Sequence, residues 1–151
     1  MMKLARIGIV AAALAALLLS GIGDGAAAAG RGFSLASVKG AYAGIFSGQA
    51  NTGESLIPLL GTGVFISNGK GNLSGHETYT IGTMVCDAQI SGTYTVDPDG
   101  TGAASIAFST LTPGCTGGSY TQSLAIADGG KTILLSNTNG DQINEQWHTE
   151  K

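Results

Sequence analysis

Charge is what this sequence most conspicuously lacks. Only 11% of its 151 residues are Asp, Glu, Lys or Arg, and the seven basic side chains are scattered. A nucleic acid partner needs a basic face to neutralise phosphates, so the composition disfavours one. Histidine occurs only as His76 and His148, and cysteine only as Cys86 and Cys115. No CxxC pair is present and neither Cys has a His nearby, so there is no metal-ligand or thiolate constellation. No phosphate-binding loop and no Ser-His-Asp spacing occurs, and nothing in the sequence calls for a cofactor. Amphipathic helical stretches are missing too, which leaves no helix long enough to cover a sheet.

The long apolar run that does exist is at the start. Lys3 and Arg6 precede Ile7 to Leu19, and small residues follow to Ala26-Ala27-Ala28-Ala29. That is the basic, apolar and small-residue order of an export signal. Thirteen apolar residues are short for a membrane span, although an uncleaved anchor is the alternative. Residues 1–29 are therefore expected to be a signal peptide, and 30–151 a single secreted or periplasmic domain. That domain keeps five basic and nine acidic side chains, a net charge near −4. In an oxidising compartment Cys86 and Cys115 are expected to pair, closing a loop of about 30 residues.

What the chain has in quantity is glycine, 25 residues of it, set between alternating stretches. GTYTVDPDGTG, Gly92 to Gly102, shows the pattern: Tyr94 and Val96 on one side, Thr93 and Thr95 on the other, then a Pro- and Gly-bearing reversal. Ser34 to Lys39 suits one helical turn. Tyr42, Gly44 and Phe46 share a strand face. Leu56 to Ile66, with Pro58, is expected to start irregularly and become a strand at Gly61. Asn68 to Gly71 is a hairpin turn, Leu73 to Ile81 alternates, Gly82 to Asp87 reads as a loop, and Ala88 to Val96 alternates again. Gly102 to Phe108, Tyr120 to Ile126, Lys131 to Ser136 and Asp141 to His148 complete the set. The turns SNGKG, DPDGTG, ADGGK and NTNGD join them. About eight strands in hairpin sequence predict an all-β fold. A small antiparallel meander barrel is the first choice and a two-sheet sandwich the alternative.

The motifs have a resemblance. The LxGxY-like start at Val38-Lys39-Gly40-Ala41-Tyr42, the NGxG hairpin at Asn68 to Gly71 and GTYTVxxDGTG at Gly92 to Gly102 resemble those of short secreted bacterial β-barrels of unknown function. These are similar to calycin and allene-oxide-cyclase-like barrels. The resemblance spans most of residues 30–151 and implies a fold. Its motifs are turns and strand ends, and they transfer no catalytic residue.

Strand parity supplies the chemical clue. Glu77 shares a face with Leu73, Tyr79 and Ile81; Glu145 shares one with Ile143 and Trp147; Gln122 shares one with Tyr120 and Leu124. If these faces line an interior, the candidate ligand-binding residues are Glu77, Tyr79, Tyr94, Tyr120, Gln122, Glu145 and Trp147, with Gly44, Gly75 and Gly92 leaving room. The opposing reading puts the two carboxylates at a rim, or turns them outward through a bulge. His76 and His148 fall on polar faces, and Asp97-Pro98-Asp99-Gly100 reads as a turn, not a calcium loop. Three functions stay open: a binder of a small apolar ligand, a cyclase or isomerase using an interior carboxylate, and a structural protein with a filled core. Membrane insertion as an outer-membrane barrel is disfavoured by strands near eight residues and few aromatics for interfacial girdles.

Overall fold

The hairpin sequence closes on itself. In the computed structural model, which describes residues 32–138 and 141–149, eight antiparallel strands follow one another around a barrel. They are β1 (Gly40–Asn51), β2 (Leu56–Ser67), β3 (Asn72–Ile81), β4 (Met84–Val96), β5 (Thr101–Thr110), β6 (Gly118–Ala127), β7 (Thr132–Asn137) and β8 (Gln142–Thr149). Each pairs with its sequence neighbours, and β1 also pairs with β8, so the barrel and not the sandwich is the architecture. The expected signal peptide lies outside the described residues, among which no helix is long and apolar enough to cross a membrane.

Three expectations about the strands are corrected. Six of the eight run to ten residues or more rather than near eight, so strand length does not count against a membrane barrel. β2 is a strand from Leu56 onward, not from Gly61. Pro58 is tolerated because β3 ends at Ile81, which pairs with Leu59. The Pro58 carbonyl accepts from Gly82 N on that same side, so the missing N–H faces no ladder partner. The segment Gly82 to Asp87 is not a loop. Ile81 pairs with Met84 across a two-residue turn in which Gly82 takes φ 59°, and β4 runs on through Cys86.

One end of the barrel is plugged. Ser34 starts a single 3-10 turn, Leu35–Val38, and Val38 is buried. Phe33 N donates to Pro98 O (3.0 Å), and Tyr94 Oη donates to Leu35 O (3.1 Å) and shares a 2.7 Å hydrogen bond with Ser67 Oγ. Tyr42 Oη donates to Gly130 O (2.8 Å), fixing a second 3-10 turn, Asp128–Gly130. In the β4–β5 turn, Asp99 Oδ1 accepts from Thr101 N and Oγ1 at 2.9 and 2.7 Å, so that carboxylate is used within its own turn.

The other end is rimmed by the turns after β1, β3, β5 and β7. Cys86 of β4 is disulfide-bonded to Cys115 of the β5–β6 loop, with Cα atoms 6.0 Å apart. Leu111 N donates to Asp87 O, and Thr110 Oγ1 to Cys115 O, at 2.7 and 3.0 Å.

The interior is filled by rings seated on glycines. A Cβ on Gly44 would meet Trp147 ring atoms at 2.6 Å, and one on Gly61 would meet the Phe46 ring. Gly75 and Gly92 are likewise covered, by Phe65 and Ile106. The expectation that Gly44, Gly75 and Gly92 leave open space is therefore corrected: carbonyl oxygens of the neighbouring strands, and beside them Trp147, Phe65 and Ile106, stand where a side chain would go. Tyr42 stacks on Phe65 (4.9 Å between centroids) and Phe65 meets the Trp147 edge at 5.1 Å. Outward positions on β3 to β6 and β8 are mostly Ser, Thr, Asn and Gln, whereas β2 exposes Leu60, Val64 and Ile66.

Gly44→Ala is expected to lower unfolding stability by about 1–3 kcal/mol through overpacking against Trp147, read from urea denaturation. Replacing Cys86 and Cys115 together by Ala should cost about 2–4 kcal/mol for the 29-residue separation, with the barrel retained in far-UV circular dichroism.

Candidate functional site

Parity alone decides which side chains face inward, and it places both glutamates inside. Glu77 is 5% exposed and Glu145 8% exposed. No bulge interrupts β3 or β8: Glu77 pairs with Gly63 and Ala88, and Glu145 with Phe46 and Leu135, in unbroken register. The rim and bulge readings are thereby set aside.

Both carboxyls meet a cavity of about 120 Å³ toward the unplugged end. Phe46 and Ala50 of β1, Leu59 of β2, Tyr79 and Ile81 of β3, Phe108 of β5, Tyr120 of β6 and Ile143 of β8 make its wall. Thr116, exposed in the disulfide-tethered loop, and Asp141, ahead of β8, stand at its rim. Phe108 organises the aromatic side, with Tyr79 edge-on at 6.5 Å and Tyr120 tilted at 5.8 Å.

The two carboxyls have different surroundings. Glu145 Oε1 accepts from Gln122 Nε2 (2.5 Å) and Oε2 from Trp147 Nε1 (2.8 Å). Gln122 Nε2 also donates to Asn137 Oδ1 (2.9 Å), while Gln122 Oε1 and Asn137 Nδ2 are buried without partners among the described residues. Glu77 has no hydrogen-bond partner among the described residues.

Burial raises the Glu145 carboxyl above the ordinary range, and the Trp147 and Gln122 donors pull the other way. Burial also pushes Glu77 up, to about 7, with the nearby Glu145 charge adding to the effect. The phenols of Tyr79 and Tyr120 are raised, mainly by burial and then by the carboxylates, so both stay protonated donors.

The sequence-derived candidates therefore divide. Glu77, Tyr79, Tyr120 and Glu145 come together on the cavity. Gln122 and Trp147 lie beneath it and hold Glu145 without lining the wall. Tyr94 does not join them. It sits eight residues beyond Cys86 on β4, about 25 Å at strand rise, and belongs to the plugged end through Ser67 and Leu35. Phe46, Leu59, Phe108, Ile143 and Asp141 escaped the sequence-based set. Four of them look like ordinary core residues by alternation, and only a known axial position distinguishes them. His76 and His148 face outward, His148 Nδ1 lying 3.1 Å from Thr132 Oγ1. Among the described residues no three His, Cys, Asp or Glu side chains gather as a metal site.

Fold and site together define a closed eight-stranded up-and-down barrel with one plugged end and an acidic-floored cavity at the other. Compared with known proteins, the chain matches no protein-family model, no curated protein and no solved structure.

The raised Glu77 carboxyl makes stability depend on pH with a defined sign. Below about 4.5 the side chain is protonated in both folded and unfolded chains and adds no penalty. Between about 4.5 and 7 the unfolded chain ionises first, so stability falls as pH rises, by up to about 3 kcal/mol from this group once both states are ionised. Glu77→Gln should match wild type at pH 4 and exceed it at pH 8, with a shallower fall between, measured by urea titrations across pH.

Proposed function

We propose that the domain is an exported ligand-binding barrel that holds a small apolar molecule in its interior. One observation carries the reading: the cavity of about 120 Å³ is walled by aromatic and aliphatic side chains and offers only a few convergent polar groups, Glu77 and Glu145 foremost. Eight up-and-down strands around an interior site is also the plan of lipocalin-type barrels. That agrees with the calycin-like resemblance of the turn motifs. A disulfide favours an extracellular or periplasmic location. The polar outward faces of most strands favour a barrel standing in water over one sealed in lipid.

A second reading, a cyclase or isomerase, has one observation in its favour. A carboxyl held near pH 7 in an apolar wall is suited to take and return a proton at neutral pH. Tyr120 would then be the neighbouring hydrogen-bond donor, since both residues line the same space.

The test is a thermal-shift and NMR screen of small aromatic and alicyclic compounds. A ligand at one hundred times its Kd adds about 2.7 kcal/mol, several degrees in Tm. Binders should shift wild type and lose their effect in Ile143→Trp, which fills the cavity from β8. A screen in which no compound shifts wild type would leave a filled structural barrel. Turnover of a bound compound, abolished in Glu77→Gln, would select the enzyme.

A further inference from the structure

The cavity floor carries acid without base. Glu77 is buried beside the cavity with no hydrogen-bond partner among the described residues. Glu145 accepts from two N–H donors, Gln122 Nε2 and Trp147 Nε1. The ionisable groups facing Glu77 across the cavity are Glu145 from β8, Tyr120 from β6, Tyr79 from its own strand and Asp141 at the rim. The strands flanking it contribute Gly63 from β2 and Ala88 from β4. Among the described residues no Lys, Arg or His lines the space. The protein thus builds half of an ion pair and places it where a ligand enters.

Each class of occupant can be compared on charge. An anionic ligand would meet two carboxyls and no positive charge among the lining residues. A neutral apolar ligand would leave Glu77 as unpartnered as it is now. A cation would satisfy Glu77 and relieve its repulsion with Glu145, inside a wall that includes the rings of Phe46, Tyr79, Phe108 and Tyr120. Asp141 at the entrance and a net charge near −4 over residues 30–151 favour the approach of the same sign of ligand. Size sets the apolar part. A dry cavity of about 150 Å³ holds benzene, so about 120 Å³ admits one group of roughly ring size.

We propose that the ligand is a small organic ammonium, one apolar group of about ring size bearing a single protonated amine. Its ammonium pairs with Glu77 and Glu145, and its apolar end packs against Phe46, Phe108 and Tyr120. This rests on the reading of the cavity as a ligand site and names the class of molecule it takes.

The experiment is isothermal titration calorimetry of the full chain with benzylammonium chloride and with benzyl alcohol, its neutral counterpart. Benzylammonium should bind at least tenfold more tightly than benzyl alcohol at pH 8. Its advantage should shrink several-fold at pH 5, where Glu77 is protonated while the ligand stays charged. Between those values, binding should release protons, read from heats in buffers of different ionisation enthalpy. In Glu77→Gln the ratio of ammonium to alcohol affinity should fall at least tenfold. Should that variant fold poorly, the pH 8 and pH 5 comparison on wild type decides by itself. Equal or tighter binding of benzyl alcohol at pH 8 overturns the ammonium assignment and leaves the cavity as a neutral site. An ammonium preference that survives Ile143→Trp places the cation on the surface and also overturns it. Binding of neither compound removes the ligand site itself, and this assignment with it.

Discussion

Eight strands that pair only with their sequence neighbours would leave two open edges. The ladder between β1 and β8, from Tyr42↔Thr149 to Gln49↔Gln142, removes both. That closure sets the interior. Every strand must turn one face inward, so each residue on that face is committed to the core whatever its chemistry. Rings and glycines then become interdependent. Trp147 can lie flat across β1 only because Gly44 stands opposite it, and Phe46 can cross β2 only because of Gly61. The high glycine content, which by composition alone resembles flexibility, serves close packing.

Against that packed interior the two carboxyls are a cost. A buried charge without a partner destabilises the fold by several kcal/mol unless it takes up a proton. Glu145 is eased by Trp147 and Gln122, whose positions follow from the inward parity of β8 and β6. Glu77 receives no such help from the described residues. A chain selected for stability alone would have Gln or Leu at position 77. An acid there gives up stability, which is why the proposed ligand site is centred on it.

Much of this was legible in the residues. Inward and outward faces follow from alternation, which put Glu77, Gln122 and Glu145 on apolar faces but left a rim or a bulge open for the two acids until burial and register decided it. The turns were legible because Asn68-Gly69, Asp97-Pro98-Asp99-Gly100 and Asp128-Gly129-Gly130 carry their own dihedral requirements. Axial position was not legible. Tyr79 and Tyr94 have the same parity and the same chemistry, yet one lies at the cavity and the other at the plug. Which end a residue reaches depends on the stagger between strands, a property of all eight ladders together. Pro58 misled for a related reason: its missing donor is harmful only where a neighbour strand exists, and β3 has already ended there.

The plug formed by Phe33 to Val38 has a kinetic corollary. With that end blocked by Leu35, Val38 and the Tyr94 and Tyr42 hydrogen bonds, and the middle of the barrel packed by Tyr42, Phe65 and Trp147, the cavity is a blind pocket. Anything the cavity holds would arrive and leave by one mouth, beside which the disulfide ties the β5–β6 loop to β4. Loosening that loop would then alter both passages together.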